Sequence, residues 1–266
     1  MVRLWKKYGF IGLFMLLSGF SGCKKPEFPP VIKILGKGGM GNSHMYPMNS
    51  KASYMEALLY NLDGVEVDVQ LTKDAQLAAF HTENLEATTN MTGRIYDYTW
   101  EELQEQCRYN NHRFRSYSLI SLDEITEIYP PDALLSLDIK IFIPSDEEAD
   151  AYMNAYINAL KDLYTKHRNI MLESSSPYYA RMLKAVNEQI PVLLVSNSAS
   201  EGLDLVIDNE LDGIVLPDTE ANEDVMERAR NHGMVVGIWE TSKSIHYSLD
   251  LEPDFFQTTS VKRFGR

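Results

Sequence analysis

From residue 31 onward, short apolar runs alternate with longer stretches whose apolar residues recur every three or four positions. Eight of the short runs read as strands: VIKILG (31–36), GVEVDVQ (64–70), LLSLDIK (134–140), NIMLES (169–174), PVLLVS (191–196), DGIVLP (212–217), MVVGIW (234–239) and DFFQTT (254–259). A further short run, LAAFH (77–81), follows the second. Most of the stretches between them have helical spacing. SDEEADAYMNAYINALKDLYTKH (145–167) opens with a Ser/Asp cap and an acidic first turn, which answer the unpaired N–H groups and positive pole of a helix start. SPYYARMLKAVNEQ (176–189) and EANEDVMERARNHG (220–233) behave likewise, the second stopping at Gly233. This alternation predicts an α/β fold, a TIM-like (β/α)8 barrel with a short extra hairpin strand after the second barrel strand. A doubly wound open sheet is the structural competitor, because it is built from the same alternation.

Two of these strands break the apolar pattern in the same way. Side chains alternate along a strand, so Val65, Val67 and Val69 share one face while Glu66, Asp68 and Gln70 share the other. In LLSLDIK, Asp138 and Lys140 alternate with Leu137 and Ile139. Carboxylates grouped on one face repel each other, and burying them unpaired costs several kcal/mol per ion. A divalent cation between them removes that cost; a solvated edge strand with a polar outer face is the other explanation of the second strand taken alone. In a barrel, inward residues near the C-terminal ends of strands form the active site, and polar residues on one face of two strands fit that place.

Composition adds limits rather than direction. The 266 residues are 44% hydrophobic and 24% charged, enough for one large domain with a proper core or two small ones. A formal charge of −13 argues against nucleic acid as a partner and against electrostatic attraction to anionic lipid. The N-terminus stands apart. Residues 1–22 carry a basic start (Arg3, Lys6, Lys7) and an apolar run from Tyr8 to Leu17, too short for a comfortable membrane span and of signal-peptide length. Phe20-Ser21-Gly22-Cys23 resembles a bacterial lipobox, with Phe20 in place of the usual Leu, and identifies Cys23 as the lipidation site. An uncleaved N-terminal anchor is the alternative. Residues 23–30 read as a Pro-containing tether and 31–266 as the barrel domain, held at the cell envelope and exposed to the periplasm or the surface. With Cys23 lipidated, Cys107 is the only other thiol, so no internal disulfide is expected.

The candidate chemistry follows from residue type. Glu66, Asp68 and Asp138 are three hard oxygen donors, the set suited to Mg²⁺ or Ca²⁺ rather than zinc. Lys140 stands beside them as a fixed cation, and a divalent ion with a lysine suits a phosphate oxyanion. His81, one short hairpin beyond the paired carboxylates, is placed for proton transfer near neutral pH. Gly36-Lys37-Gly38-Gly39-Met40-Gly41 matches the G-x-G-x-x-G dinucleotide fingerprint, but that fingerprint needs a helix opening at its last glycine. Here Pro47 defers the helix to about Ser50, so the glycines are expected to let a wide loop pass close to bound phosphate.

The block DGVEVDVQLTKDAQLAAFHTENLEATTNMTGRIYDYTWEEL (63–103) resembles the central block of the glycerophosphodiester phosphodiesterases, in the superfamily of phospholipase-C-like barrels. Weaker likeness extends to 46–58, 120–125, 135–140, 172–183 and 237–242, nearly the whole chain after the tether. The resemblance implies metal binding by Glu66 and Asp68, with Asp138 in place of a commoner Glu, catalysis by His81, and hydrolysis of glycerophosphodiesters or related lipid headgroup phosphodiesters.

Departures from that pattern change the expectation. The family begins its first strand-end loop with His-Arg-Gly, the His being a second catalytic histidine. Gly36-Lys37-Gly38 stands there, so the His is absent and Lys37 keeps only the phosphate-binding charge. Pro47-Met48-Asn49-Ser50 replaces Pro-Glu-Asn-Thr, Thr82 replaces an Asp and Ala87 an Arg. His44, in the same first loop, is the candidate to supply the missing proton carrier. Two functions stay open on these residues, a metal-dependent phosphodiester hydrolase of impaired or altered activity and a non-catalytic phosphate-ligand-binding barrel. His112, His167, His232 and His246 have no motif around them and are expected at the surface. Arg108–Tyr117 (RYNNHRFRSY), basic and aromatic in an acidic protein, is either a lid or substrate-facing loop or an ordinary solvated one.

Overall fold

The computed structural model describes residues 32–42, 45–142 and 148–265. The leader, the tether with Cys23, and His44 lie outside them. Ten strands are present among the described residues: β1 (Lys33–Lys37), β2 (Gly64–Leu71), β3 (Leu77–Ala79), β4 (Ile120–Ser121), β5 (Leu134–Ile139), β6 (Ile170–Ser174), β7 (Val192–Val195), β8 (Gly213–Pro217), β9 (Val235–Trp239) and β10 (Phe255–Thr258). β1, β2 and β5 to β10 pair in parallel with their neighbours. β1 pairs with β10 on one side and β2 on the other, so the sheet closes into an eight-stranded barrel. Closure excludes the open-sheet alternative. β3 runs antiparallel to β2, as the extra hairpin strand was expected to, and it also carries the two-residue β4, which the apolar pattern is too short to signal.

Helices α1 (Lys51–Leu58), α2 (Trp100–Gln106), α3 (Leu122–Ile128), α4 (Ala149–Lys166), α5 (Pro177–Leu183), α6 (Ala199–Asp208), α7 (Glu223–Asn231) and α8 (Ile245–Asp250) lie between the strands. Side-chain caps explain several of their starts, though α4, α6 and α8 open without one. Ser50 accepts from the Ser53 backbone N–H, and Thr99 and Ser121 each form a reciprocal capping box with a glutamate three residues on. α7 ends in a left-handed Gly233 at φ 67°, where the sequence marks its stop. α5 is shorter than its periodic stretch, because Val186 already turns back onto Leu183 to feed β7. Among the described residues, no helix is long and apolar enough to cross a membrane.

The barrel strands bury both faces, as parallel strands with helices outside must. All eight residues of β2 are buried, which removes the solvated-edge explanation of Glu66 and Asp68. Outward residues such as Val65, Val67, Val69, Leu135 and Leu137 join the large core formed with the helices. Leu35, Leu134, Met171, Leu193, Val215 and Phe255 form a separate cluster, the apolar floor of the barrel interior. Above that floor the inward side chains turn polar: Lys37, Glu66, Asp68, Ser136, Asp138, Glu173 and Gln257. His167 is buried rather than on the surface, its Nε2 at 2.9 Å from the Ala133 carbonyl, where it ties the end of α4 to the start of β5.

Filling this interior leaves no slack. A Cβ on Gly237 would lie 2.1 Å from the Phe255 ring, which is itself 2% exposed. Gly237→Ala is therefore expected to destabilise the fold by about 1–3 kcal/mol through overpacking. Urea unfolding should show a lower midpoint with an unchanged m-value.

Candidate functional site

Register sets the site. Asp68 on β2 is the cross-strand partner of Asp138 on β5, which is in turn the partner of Glu173 on β6, so three carboxylates sit side by side across three strands. Lys37, at the end of β1, is the partner of Glu66. Glu66, Asp68 and Asp138 each place a carboxylate oxygen within 4.8 Å of the others, and all three are buried. The expected ligand set is thus brought together in one place.

Each oxygen of the cluster has a distinct environment. The Gly38 backbone N–H donates to Glu66 Oε2 at 2.9 Å, while buried Glu66 Oε1 has no hydrogen-bond partner. Asn49 Nδ2 donates to Asp68 Oδ2 at 2.8 Å, and the Tyr54 hydroxyl donates to Asn49 Oδ1 at 2.7 Å, which fixes the amide. Asp68 Oδ1 faces Lys140 Nζ at 3.2 Å without the alignment of a hydrogen bond. Lys140 Nζ donates to Asp138 Oδ2 at 2.5 Å. Three hard oxygen donors at this spacing, two of them carrying a buried oxygen without a hydrogen-bond partner, fit a hard divalent cation.

The charges push one another in opposite directions. Burial, reinforced by the field of Asp68, raises the Glu66 carboxyl well above the usual range. Burial also acts to raise Asp68, but Lys140, His81 and the Asn49 bond outweigh it and hold that carboxyl below its usual value. Asp138 is raised by burial against the pull of Lys140. Burial acts to lower Lys37, yet Glu66, Asp68 and Asp138 overcome it, so its ammonium stays charged. Lys37 Nζ also lies 5.6 Å from the centre of the Trp239 ring, at the end of β9. Beside the cluster, Glu173 accepts from Ser136 and, at 2.7 Å, from Gln257, and burial beside Asp138 pushes it up to about 7.

The glycine loop after β1 runs against this cluster. Gly38, Gly39 and Gly41 have φ of 54°, 87° and 59°, which glycine adopts at no steric cost. No helix opens at Gly41; α1 starts at Lys51, as Pro47 implied, and the dinucleotide reading fails. A Cβ on Gly36 would meet the Gly39 carbonyl oxygen at 2.3 Å, so the loop itself fills the space a side chain at position 36 would need. Lys37, Asn49 and His81 border a cavity of about 390 Å³ whose wall includes Met48, Phe80, Tyr109 and Phe114. The His81 side chain is solvent-exposed.

The glycerophosphoryl diester phosphodiesterase family profile matches residues 40–255. The chain belongs to this family. It is 50% identical over 68 residues to a glycerophosphodiester phosphodiesterase of Bacillus altitudinis, covering 26% of each chain. It is 29% identical over 162 residues to one from Caldanaerobacter subterraneus subsp. tengcongensis, covering 58% of this chain and 63% of that one. The matched stretches thus span less than two thirds of these relatives. The fold is also that of an Oleispira antarctica phosphodiesterase solved in complex with the product sn-glycerol-3-phosphate, with a TM-score of 0.73 at 18% identity over 87% of this chain and 94% of the other.

Within this family member, sequence reasoning missed four residues beside the cluster. Asn49 is held at φ 60°, in the left-handed region an asparagine tolerates, and its signal was the Pro-x-Asn-Ser sequence ahead of the α1 cap. Trp239 ends a strand, and Glu173 interrupts the apolar run of β6 in the way Asp138 interrupts β5. Tyr109 belongs to Arg108–Tyr117, of which Tyr109, Asn110, Asn111 and Phe114 line the cavity while His112, Arg113 and Arg115 are exposed. The Tyr109 hydroxyl reaches the carbonyls of Met48 and Asn49 at 3.1 and 3.2 Å.

Lys140 is the only ammonium among the described residues recorded in ion pairs with Asp68 and Asp138. Lys140→Met is expected to cost about 3–5 kcal/mol in chelator-containing buffer at pH 8, since two buried carboxylates lose their counter-charge. Adding Asp138→Asn should recover part of that loss in urea unfolding.

Proposed function

We propose that the chain is a metal-dependent phosphodiester hydrolase acting on glycerophosphodiesters or related lipid headgroup phosphodiesters. The observation that carries this reading is the convergence of Glu66, Asp68 and Asp138 beside Lys37 and His81 at the mouth of the barrel. The family and the product-bound neighbour support it.

Glu66, Asp68 and Asp138 would hold the cation, Mg²⁺ or Ca²⁺, which when bound supplies positive charge to phosphate oxygens and an acidified hydroxyl. Asn49 keeps Asp68 turned toward that position, and Gly38 does the same for Glu66. Lys140 balances Asp68 and Asp138, while Lys37 offers its ammonium to a phosphoryl oxygen at the cavity edge. His81 gives a proton to the departing alkoxide oxygen or takes one from the attacking hydroxyl. His44 lies outside the described residues, and its role as second proton carrier stands as part of this proposal. The lipid anchor at Cys23 and the envelope location are likewise proposed, from the leader alone.

One observation favours a second reading. The backbone of Gly39 closes off the side-chain space at Gly36, where the family's first catalytic histidine would stand, and a barrel without that group suits a non-catalytic binder of phosphorylated ligands. A panel of glycerophosphodiesters incubated with the tether-free protein separates the two. Hydrolysis should release glycerol phosphate with magnesium or calcium present, stop with chelator, and fall about 10²–10⁴-fold in His81→Ala. Glu66→Ala should abolish cation binding by calorimetry. Ligand binding without turnover across the panel would establish the binder.

A further inference from the structure

The cavity beside the carboxylate cluster has an uncharged wall beyond its Lys37 and His81 edge. Its residues nearest the chemistry are Lys37, Asn49 and His81, and from there it extends over Met48, Phe80 and Phe114, with the uncharged Thr82, Thr88, Asn110 and Asn111 also in the wall. No aspartate or glutamate is among the described residues that line it, in a chain whose formal charge is −13. An ammonium headgroup inside this cavity would therefore meet no carboxylate in the wall itself. Lys37 at the same edge would repel such a group further.

The wall is also held in place before any ligand arrives. Phe80 is 2% exposed and continues β3, with its N–H bonded to the Asp68 carbonyl at 2.9 Å. Tyr109 is bonded to the Met48 and Asn49 carbonyls, so the insert between β3 and β4 is tied to the loop that carries Asn49. Phe114 packs edge-on against Tyr117 with ring centres 6.1 Å apart, and Tyr117 packs likewise on Tyr46. A preformed apolar wall next to a phosphate-binding edge lowers the ordering cost of binding an apolar group there.

We infer that this cavity takes an uncharged apolar ester arm of the phosphodiester, with Met48, Phe80 and Phe114 as the residues that set the preference. This rests on the hydrolase reading for turnover, though not for binding. The arm could be the alcohol that leaves or an acyl group carried on the glycerol, and the same cavity chemistry serves either.

Calorimetry with hexyl phosphate and ethyl phosphate, magnesium present, tests the cavity without turnover. Each buried methylene is worth about fourfold in affinity, so hexyl phosphate should bind more than tenfold tighter. Phe114→Ala should reduce that ratio at least threefold, and Phe114→Asp should reverse the preference toward ethanolamine phosphate. Equal affinity for the two alkyl phosphates in the folded wild-type protein overturns the inference, whatever the activity. Turnover then locates the arm: a higher kcat/KM for the hexyl ester of glycerol phosphate than for glycerophosphoethanolamine places it on the leaving alcohol. A higher value for 1-hexanoyl glycerophosphoethanolamine places it on the glycerol side. A polar headgroup ester preferred to both overturns it, whereas hydrolysis of none of these esters alongside a retained hexyl preference would reject the hydrolase reading alone.

Discussion

Like charges buried together govern this structure. Glu66, Asp68, Asp138 and Glu173 all turn into the barrel, and the register of β2, β5 and β6 places three of them next to each other. Such a row stands only if positive charge and donors surround it, and each neighbouring feature supplies some. Lys140 answers Asp68 and Asp138, Asn49 answers Asp68, the Gly38 N–H answers Glu66, and Ser136 and Gln257 answer Glu173. What remains are two buried oxygens without a hydrogen-bond partner, Glu66 Oε1 and Asp68 Oδ1, the second of them facing Lys140, and a Glu66 carboxyl that burial and Asp68 raise well above its usual range. Carboxylate oxygens left without donors inside a network that satisfies their neighbours suit a cation-binding position.

That requirement explains the loop after β1. Glycines at 38, 39 and 41 let the backbone curl in close enough for an N–H to reach Glu66, and the same curl occupies the space next to Gly36. The loss of a side chain at position 36 and the support given to Glu66 are two results of one backbone path. Asn49 plays the matching part on the other side of the loop. Its strained conformation is held by bonds from Tyr54 and Tyr109, so the insert, the first loop and the carboxylates form one connected unit.

The layering of the barrel separates stability from chemistry. Its floor is apolar and packed around Phe255, with Gly237 leaving room for the ring. Its upper levels hold the charges and open onto the aromatic cavity. Removing a charged group therefore disturbs a network, while enlarging a floor residue disturbs packing, and the two kinds of change have different signatures.

Much of this was written in residue order. Apolar runs of strand length between helical stretches gave the barrel, because period and length are local properties of the chain. The alternation of Glu66 and Asp68 with valines, and of Asp138 and Lys140 with Leu137 and Ile139, placed the acidic cluster, because a strand's parity puts those side chains on one face. Tertiary structure decided the rest. Closure made both faces of β2 buried, the stagger between strands lined Asp138 up with Asp68 and Glu173, and chain crossing brought Tyr109 sixty residues back to Asn49. His167 looked like a surface residue until the carbonyl of Ala133 met it in the interior. Local pattern fixes which way a side chain points along its own strand; which neighbour it finds there depends on contacts between segments far apart in the chain.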